Sequence, residues 1–565
     1  MTVRKILIGL PILVIVFLLQ SYFWVPTYEE QSRGNPGRLE EYITASIGDA
    51  SILNPILSAD SASGDINSLV FEGLIDYDEE LRFRSRLAQS WEIYEEAFFY
   101  VNEEASIPHL GKAGAEEVAQ LLRSAKERSL PVNAELKASL DNIREISVLP
   151  AGEFLVTKRE KKEKEKQQET EVKISGIAPA RVKLVLAKVD QVLFQSLSIL
   201  LGKDYFSSFD GRKVLRFDPP VAEDKKVRYA NEILPSTEHN PIILFKLRPN
   251  VKFHDGHPFG AKDVKFTYEA IMNPKNISPR LADYEPIKEV KVLDPLTVRI
   301  VYKRLYSPAF ETWSIGILPE HLLNDEALSK EAIQSGKSPD PFSMRQSRLN
   351  RRPIGCGPFV FQEWKSDQYI TLKHYEGYWE GPPNYKRYLY RIIPDALTQE
   401  MEFYAGAVDA YAVRPHQVER LKHDPTYQSF SGLSFGYTYI GYNMRREPFK
   451  DPRVRRALSM AIDIEKIINY VLFGQGERIT GPFVKQTDYY NHQLQPVPYD
   501  PQGALKLLEE AGWRRNREGW LEKDGKRFQF TLITNSGNDL RKAILTVAQD
   551  EWKRIGIDVR TDLLE

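Results

Sequence analysis

Two short stretches of this 565-residue chain gather residue types that do chemistry. In Phe253-His254-Asp255-Gly256-His257 two imidazoles flank a carboxylate, which are donor types of a divalent-metal site. In Gly355-Cys356-Gly357 the single cysteine sits between two glycines, where a strained loop can expose a nucleophilic thiolate. Each stretch has a plainer reading. Asp255-Gly256 is a tight hairpin turn in its own right and needs no metal. No histidine is paired with Cys356 in the nearby sequence, so it is read as a small buried residue at a point of close backbone approach. No phosphate-cradling GxxxxGK[ST], no GxGxxG after a strand and no HExxH occurs. An enzyme, a metal site and a cofactor are therefore not expected.

The elements that carry these residues are legible from periodicity. Ile243, Phe245 and Leu247 alternate as a strand, and Val251 and Phe253 begin another. A helix follows, with Gly260 as N-cap, Asp263 in the first turn, and Ala261, Val264, Tyr268, Ile271 and Met272 on one face up to Pro274. Further on, Asp451 caps a helix that opens with Pro452, Asp463 restarts one that runs to Gly474, and Asp500-Pro501 repeats the device. There Ala504, Leu507, Leu508 and Ala511 form the buried face, and Gly512 the C-cap. Phe528, Phe530 and Leu532 alternate as a strand, 540–555 is an amphipathic helix and 557–563 a second strand. That is a β-α-β unit of an α/β fold.

The stretch 245–274, FKLRPNVKFHDGHPFGAKDVKFTYEAIMNP, closely resembles the signature of the extracytoplasmic solute-binding proteins of ABC transporters, in the family that binds dipeptides, oligopeptides and nickel complexes. Upstream, Leu53-Asn54-Pro55, Phe71-Glu72-Gly73-Leu74 and 87–92 (LAQSWE) resemble the family's opening landmarks. Downstream, 355–359 (GCGPF), 375–382 (YEGYWEGP), 405–409 (AGAVD) and 443–463 continue the series in order. The resemblance implies a two-lobe periplasmic-binding-protein-like fold with mixed sheets, whose lobes close over a ligand without performing chemistry. It assigns 38–70 and 302–392 to lobe 1, 71–96 and 241–301 to its accessory subdomain, and 393–565 to lobe 2. It also implies main-chain contacts to an extended peptide near Ala59-Asp60-Ser61, Gly355-Cys356-Gly357, Val413-Arg414 and the strand 437–443, where Tyr437 and Tyr439 are wall residues. The implied partners are a peptide or other small solute, the permease subunits of an importer and, through them, its ATPase subunits. A ligand sensor or scaffold without a transporter is the alternative, and an extracytoplasmic hydrolase a third. Family members continue past the strand at 557–563, so lobe 2 reads as incomplete: either the chain is a fragment or a second polypeptide completes it.

Composition bounds the rest. Lys plus Arg (77) nearly cancels Asp plus Glu (78), so no global field attracts nucleic acid. One cysteine excludes an intramolecular disulfide, and the chain lacks the lipid-acceptor cysteine of many family members. Residues 6–25 are almost wholly apolar between Arg4-Lys5 and Glu29-Glu30, long enough at about 30 Å to cross a bilayer. Within the segment 1–28 they are read as an uncleaved anchor rather than a cleaved signal peptide, leaving the remainder on the periplasmic side. Residues 29–37 are a polar linker. Residues 97–240 separate two strands that are neighbours in the family, and so read as a small α+β domain inserted at a hairpin tip. Within it 116–129 and 181–201 carry helical spacing, 146–149 and 154–158 flank Pro150-Ala151-Gly152 as a hairpin, and 158–173 is a solvated Lys/Glu run.

Overall fold

The computed structural model describes residues 36–79, 82–127, 133–161, 169–432, 434, 436–487 and 489–564, and Ile15. They fall into two compact units, one holding residues 48–391 and the chain up to Tyr42, the other residues 43–47 and 392–565. The apolar run 6–25 lies outside the described residues apart from Ile15. Among those described, no helix is long and apolar enough to cross a membrane.

The first unit is built on a six-stranded antiparallel sheet, in the order Ile287–Asp294, Thr297–Tyr302, Thr237–Leu247, Ala88–Tyr100, Arg181–Leu186 and Ile143–Leu149. Phe245 lies opposite Trp91, and the pairing runs on to Thr237 opposite Phe99. Ile243, Phe245 and Leu247 turn inward to one core with Val264 and Ile271 of the helix Ala261–Met272. That helix starts at Gly260, whose N–H is held by the Asp263 carboxylate at 2.9 Å. The Asp255-Gly256 turn forms with Gly256 at φ 89°, a conformation that favours glycine. The second strand expected from Val251 and Phe253 is instead a single bridge, Lys252 to Pro258, because a proline brings no N–H to a longer ladder. A four-stranded sheet orders Glu41–Ser46, Arg387–Ile392, Tyr369–His374 and Phe359–Lys365.

The region 97–240 is tied into that frame. Arg181–Leu186 pairs with Ala88–Tyr100 on one side and Ile143–Leu149 on the other, extending the sheet by two strands. The helix expected over 181–201 is thus a strand followed by a shorter helix, Leu193–Leu201. Val182, Leu184 and Leu186 are buried in strict alternation, a period-two pattern that two flanking strands reward and a helix would waste. The hairpin expected around Pro150 also differs. Its two arms belong to different sheets, since Gly152–Lys161 pairs with Glu169–Ala178. The helices Ala115–Lys126, Ala134–Asn142 and Leu193–Leu201 close one core over Ala97 and Phe99, while Glu223–Ile233 closes a second over Val172 and Ile174. Glu95, fully buried, accepts from the Asp190 N–H at 2.8 Å and lies 2.5 Å from His239 Nδ1.

In the second unit Asp451, Asp463 and Asp500 cap helices as expected. The run from Asp463 holds one α-turn, Ile464–Lys466, then a π-turn, Ile467–Val471, and leaves through Phe473 at φ 50°. Gln529–Asn535 and Asp558–Leu564 pair in parallel around the helix Asp539–Arg554, as a β-α-β unit requires. The strand expected over 437–443 does not form. The segment carries no regular secondary structure and pairs with no strand among the described residues, so its backbone groups stay outside any sheet.

Candidate ligand-binding site

In the first unit the expected contact segments sit at the two ends of one helix, Ser61–Val70. Ala59-Asp60-Ser61 forms its N-terminal end. Asp60 is the N-cap: its carboxylate accepts from the Ser63 N–H at 2.7 Å and from the Ser51 hydroxyl. Partial burial works against its charge, yet the hydrogen bonds from Ser51 and Ser63 outweigh this and hold the acid below its ordinary value. At the other end Val70 meets the glycine segment. A Cβ on Gly355 would lie 2.1 Å from the Val70 carbonyl oxygen, and one on Gly357 2.7 Å from that of Leu69, so only glycine fits at either position. The ten helical residues keep the two segments about 15 Å apart, the reach of four or five extended peptide residues.

His254 clamps the glycine segment. Its backbone N–H donates to the Gly355 carbonyl at 2.8 Å, its Nδ1 accepts from the Gly355 N–H at 3.3 Å, and its Nε2 donates to the Gly357 carbonyl at 3.0 Å. The Gly357 N–H goes to Val70 O at 2.9 Å. This pattern fixes the neutral Nε2–H tautomer, and burial keeps the imidazole below its ordinary pKa. Every backbone N–H and C=O of Gly355 and Gly357 is thus engaged within the protein. Cys356 between them is buried in the core, and desolvation pushes its thiol far above the ordinary value, which suits packing rather than nucleophilic attack. The clamping residue, His254, has no signal in local sequence, where it reads only as part of a turn.

Around the Asp255 turn the carboxylate accepts from His321 Nε2 at 2.7 Å, and the His257 and His321 rings stack at 3.8 Å. Among the described residues no cluster of three or more His, Cys, Asp or Glu is placed to hold a metal. A larger polar network lies at Glu72. Its carboxylate, 4% exposed, takes Arg86 Nε at 2.6 Å, Trp379 Nε1 at 2.7 Å and Tyr378 Oη at 3.0 Å. Arg86 also donates to Tyr378 Oη at 2.8 Å and to Glu380 at 2.9 Å, and Arg248 stacks over Trp379 at 3.9 Å. Burial opposes the Arg86 charge, but Glu72, Tyr378 and Glu380 outweigh it and hold the guanidinium ionised. Glu72, Arg248, Tyr378, Trp379 and Glu380 fall within the sequence landmarks, but Arg86 does not, and the convergence of the six has no local signal.

In the second unit Val413 is exposed, and Arg414 precedes the short turn Pro415–Gln417, with its guanidinium 3.9 Å from Asp539. Tyr437 and Tyr439 are exposed, with ring centroids 5.6 Å apart. Just before them Gly432 to Gly436 spells GxSxG, a pattern missed at the level of sequence. Ser434 Oγ accepts from the Gly436 N–H at 3.2 Å, and the described residues around it form neither the strand nor the helix that a nucleophile elbow requires. A cavity of about 710 Å³ in this unit is lined by Lys466, Trp520, Glu551 and Asp558 among others, and by none of the expected contact residues. Its buried acid, Glu551, is already matched by Lys466 at 3.4 Å and Tyr499 at 2.9 Å.

The family model of the bacterial extracellular solute-binding proteins, family 5 middle region, matches residues 236–565, and the chain belongs to that family. The oligopeptide-binding protein AppA of Bacillus subtilis is 36% identical over 329 residues, 57% of this chain and 58% of that protein. Heme-binding protein A of Haemophilus influenzae is 29% identical over 333 residues, 55% of this chain and 57% of that one. This chain therefore spans less than two thirds of the length of either relative. The structure of Bacillus subtilis AppA in complex with a nonapeptide superposes with a TM-score of 0.59 at 25% identity, covering 93% of this chain and 74% of that one. The fold is thus the mixed α/β, two-lobe fold of solute-binding proteins.

Proposed function

We propose that the protein is the extracytoplasmic substrate-binding component of an ABC importer for peptides, and that it hands its ligand to a membrane permease. The observation that supports this most directly is the family match over 236–565, joined by 36% identity to an oligopeptide-binding relative. Residues 6–25 anchor it in the cytoplasmic membrane, 38–70 with 302–392 and 71–96 with 241–301 make up the first lobe, 393–565 belong to the second, and 97–240 are an accessory insert. Ligand contacts come from Ala59, Asp60 and Ser61, from the Gly355-Cys356-Gly357 face, and from Val413, Arg414, Tyr437 and Tyr439. Because the backbone polar groups of both glycines are already bonded, that segment contributes shape more than hydrogen bonds.

Uptake of labelled di- to pentapeptides tests the reading. Deleting the gene should abolish uptake and the intact gene restore it, and unchanged uptake in the deletion strain refutes it. Asp60→Asn, complementing the same strain, tests the site, because asparagine keeps the helix cap and removes only the charge. Reduced uptake at normal protein level is expected if Asp60 faces a peptide ammonium.

A further inference from the structure

We propose that one end of the four-stranded sheet, carrying Leu39 and Tyr385, rests on the lipid bilayer. The inference rests on the reading of residues 6–25 as a membrane anchor. Lys386 donates its backbone N–H to the Glu40 carbonyl at 2.8 Å, so Leu39, in the short helix Pro36–Glu40, and Tyr385 each stand one residue beyond that bond at the same end of the sheet. Leu39 is 81% exposed and Tyr385 40% exposed. The Tyr385 ring is held by stacking on Tyr42, with centroids 4.8 Å apart, and Pro382 and Asn384 stand exposed beside it.

The chemistry of this end is interfacial. An amphipathic tyrosine favours the boundary between headgroups and acyl chains, and a leucine beside it favours the acyl chains beneath. The charges behind them are paired, Lys386 with Glu40 at 2.5 Å and Arg387 with Glu41 at 2.7 Å. Contact therefore draws on burial of the apolar tip rather than on attraction to anionic lipid. The ten residues 26–35 reach at most about 35 Å when fully extended, which keeps this end close to the membrane. A tether of that length supplies a high effective concentration, so a contact too weak to recruit a free protein is populated in an anchored one.

Cys356 is buried with a raised thiol pKa, so an introduced surface cysteine can be labelled selectively. The full chain is placed in phosphatidylcholine nanodiscs containing nitroxide-bearing lipid, with a fluorophore at Asn384→Cys or, as control, at Leu155→Cys on the insert. Quenching at 384 is expected to exceed that at 155 at least twofold, to fall to the control level with Leu39→Asp, and to be unaffected by added anionic lipid. Equal quenching at the two positions, or quenching at 384 that Leu39→Asp leaves unchanged, overturns the contact. Failure of the unsubstituted chain to co-elute with the discs overturns the anchor itself, and the contact with it.

Discussion

Replacing Arg86 by methionine tests whether the network at Glu72 holds the first unit together. The side chains of Arg86 and Glu72 are 12% and 4% exposed, so the substitution leaves a desolvated carboxylate whose remaining donors, Tyr378 and Trp379, are neutral. Breaking such a pair from one side costs about 3–5 kcal/mol, because the abandoned charge keeps its desolvation penalty. Glu380→Gln removes the outer partner, which is 48% exposed, and should cost at most about 1 kcal/mol. The amides of residues 86–88 report the effect, since they donate to Leu74 and Gly73 carbonyls beside the network. Their hydrogen-exchange protection should fall by roughly two to three and a half orders of magnitude in Arg86→Met. The double variant Glu72→Gln/Arg86→Met should lose less than Arg86→Met alone, because the stranded charge is gone. A single variant within about 1 kcal/mol of the parent, or a double variant worse than it, would refute the reasoning.

Two further outcomes follow from the same region. His254 is held neutral below its ordinary value of 6.5, so the unfolded chain takes up a proton that the folded one refuses: stability should fall as pH drops below about 6.5, by at most about 1.4 kcal/mol per unit. Urea midpoints at pH 7.5, 6.0 and 5.0 should show a shallower acid loss for His254→Gln than for the parent, and identical profiles would count against the clamp. Gly355→Ala forces a Cβ to within 2.1 Å of the Val70 carbonyl and should cost about 1–3 kcal/mol or more by urea denaturation, whereas Gly48→Ala, with nothing within 4 Å, should stay within about 0.5 kcal/mol.

Much of the fold was legible because its signals are local. Asp451-Pro452, Asp500-Pro501 and Gly260 with Asp263 announce helix starts through the chemistry of the first turn, and each helix begins there. What failed depended on partners remote in sequence. Residues 181–186 satisfy a helical template and a strand template alike, and only the strands on either side decide between them. The stretch 437–443 has strand composition but forms no ladder among the described residues. At the candidate site the residue types were visible and their roles were not. His254 and Gly355 lie a hundred positions apart, so a residue that fastens the glycine segment reads locally as part of a turn.

The landmarks that place this chain in its family are largely structural. Glu72, Arg248, Tyr378 and Trp379 come from three different landmark regions and meet in one network with Arg86, which directly precedes a fourth. Asn54 bonds Asn350 in the core, Asp409 holds the Ile43 N–H at 2.6 Å, and Asp451 caps a helix. Residues so committed keep the fold whatever the ligand, which is consistent with relatives named for an oligopeptide and for heme both matching over more than half of this chain. On the proposed function, selectivity would arise from side chains outside these networks. On the first unit that points to the end of the helix at Ala59-Asp60-Ser61, and on the second to the exposed Val413, Tyr437 and Tyr439, with Arg414 beside Asp539. Substitutions at those positions should alter which peptide is taken up while leaving the unfolding midpoint in place. Substitutions in the Glu72 network should do the reverse, lowering stability with no change in preference among peptides. A competition uptake assay run beside urea denaturation on Arg414→Ala and Arg86→Met separates the two classes, and a shift in peptide preference from Arg86→Met would show that the landmark network itself reads the ligand.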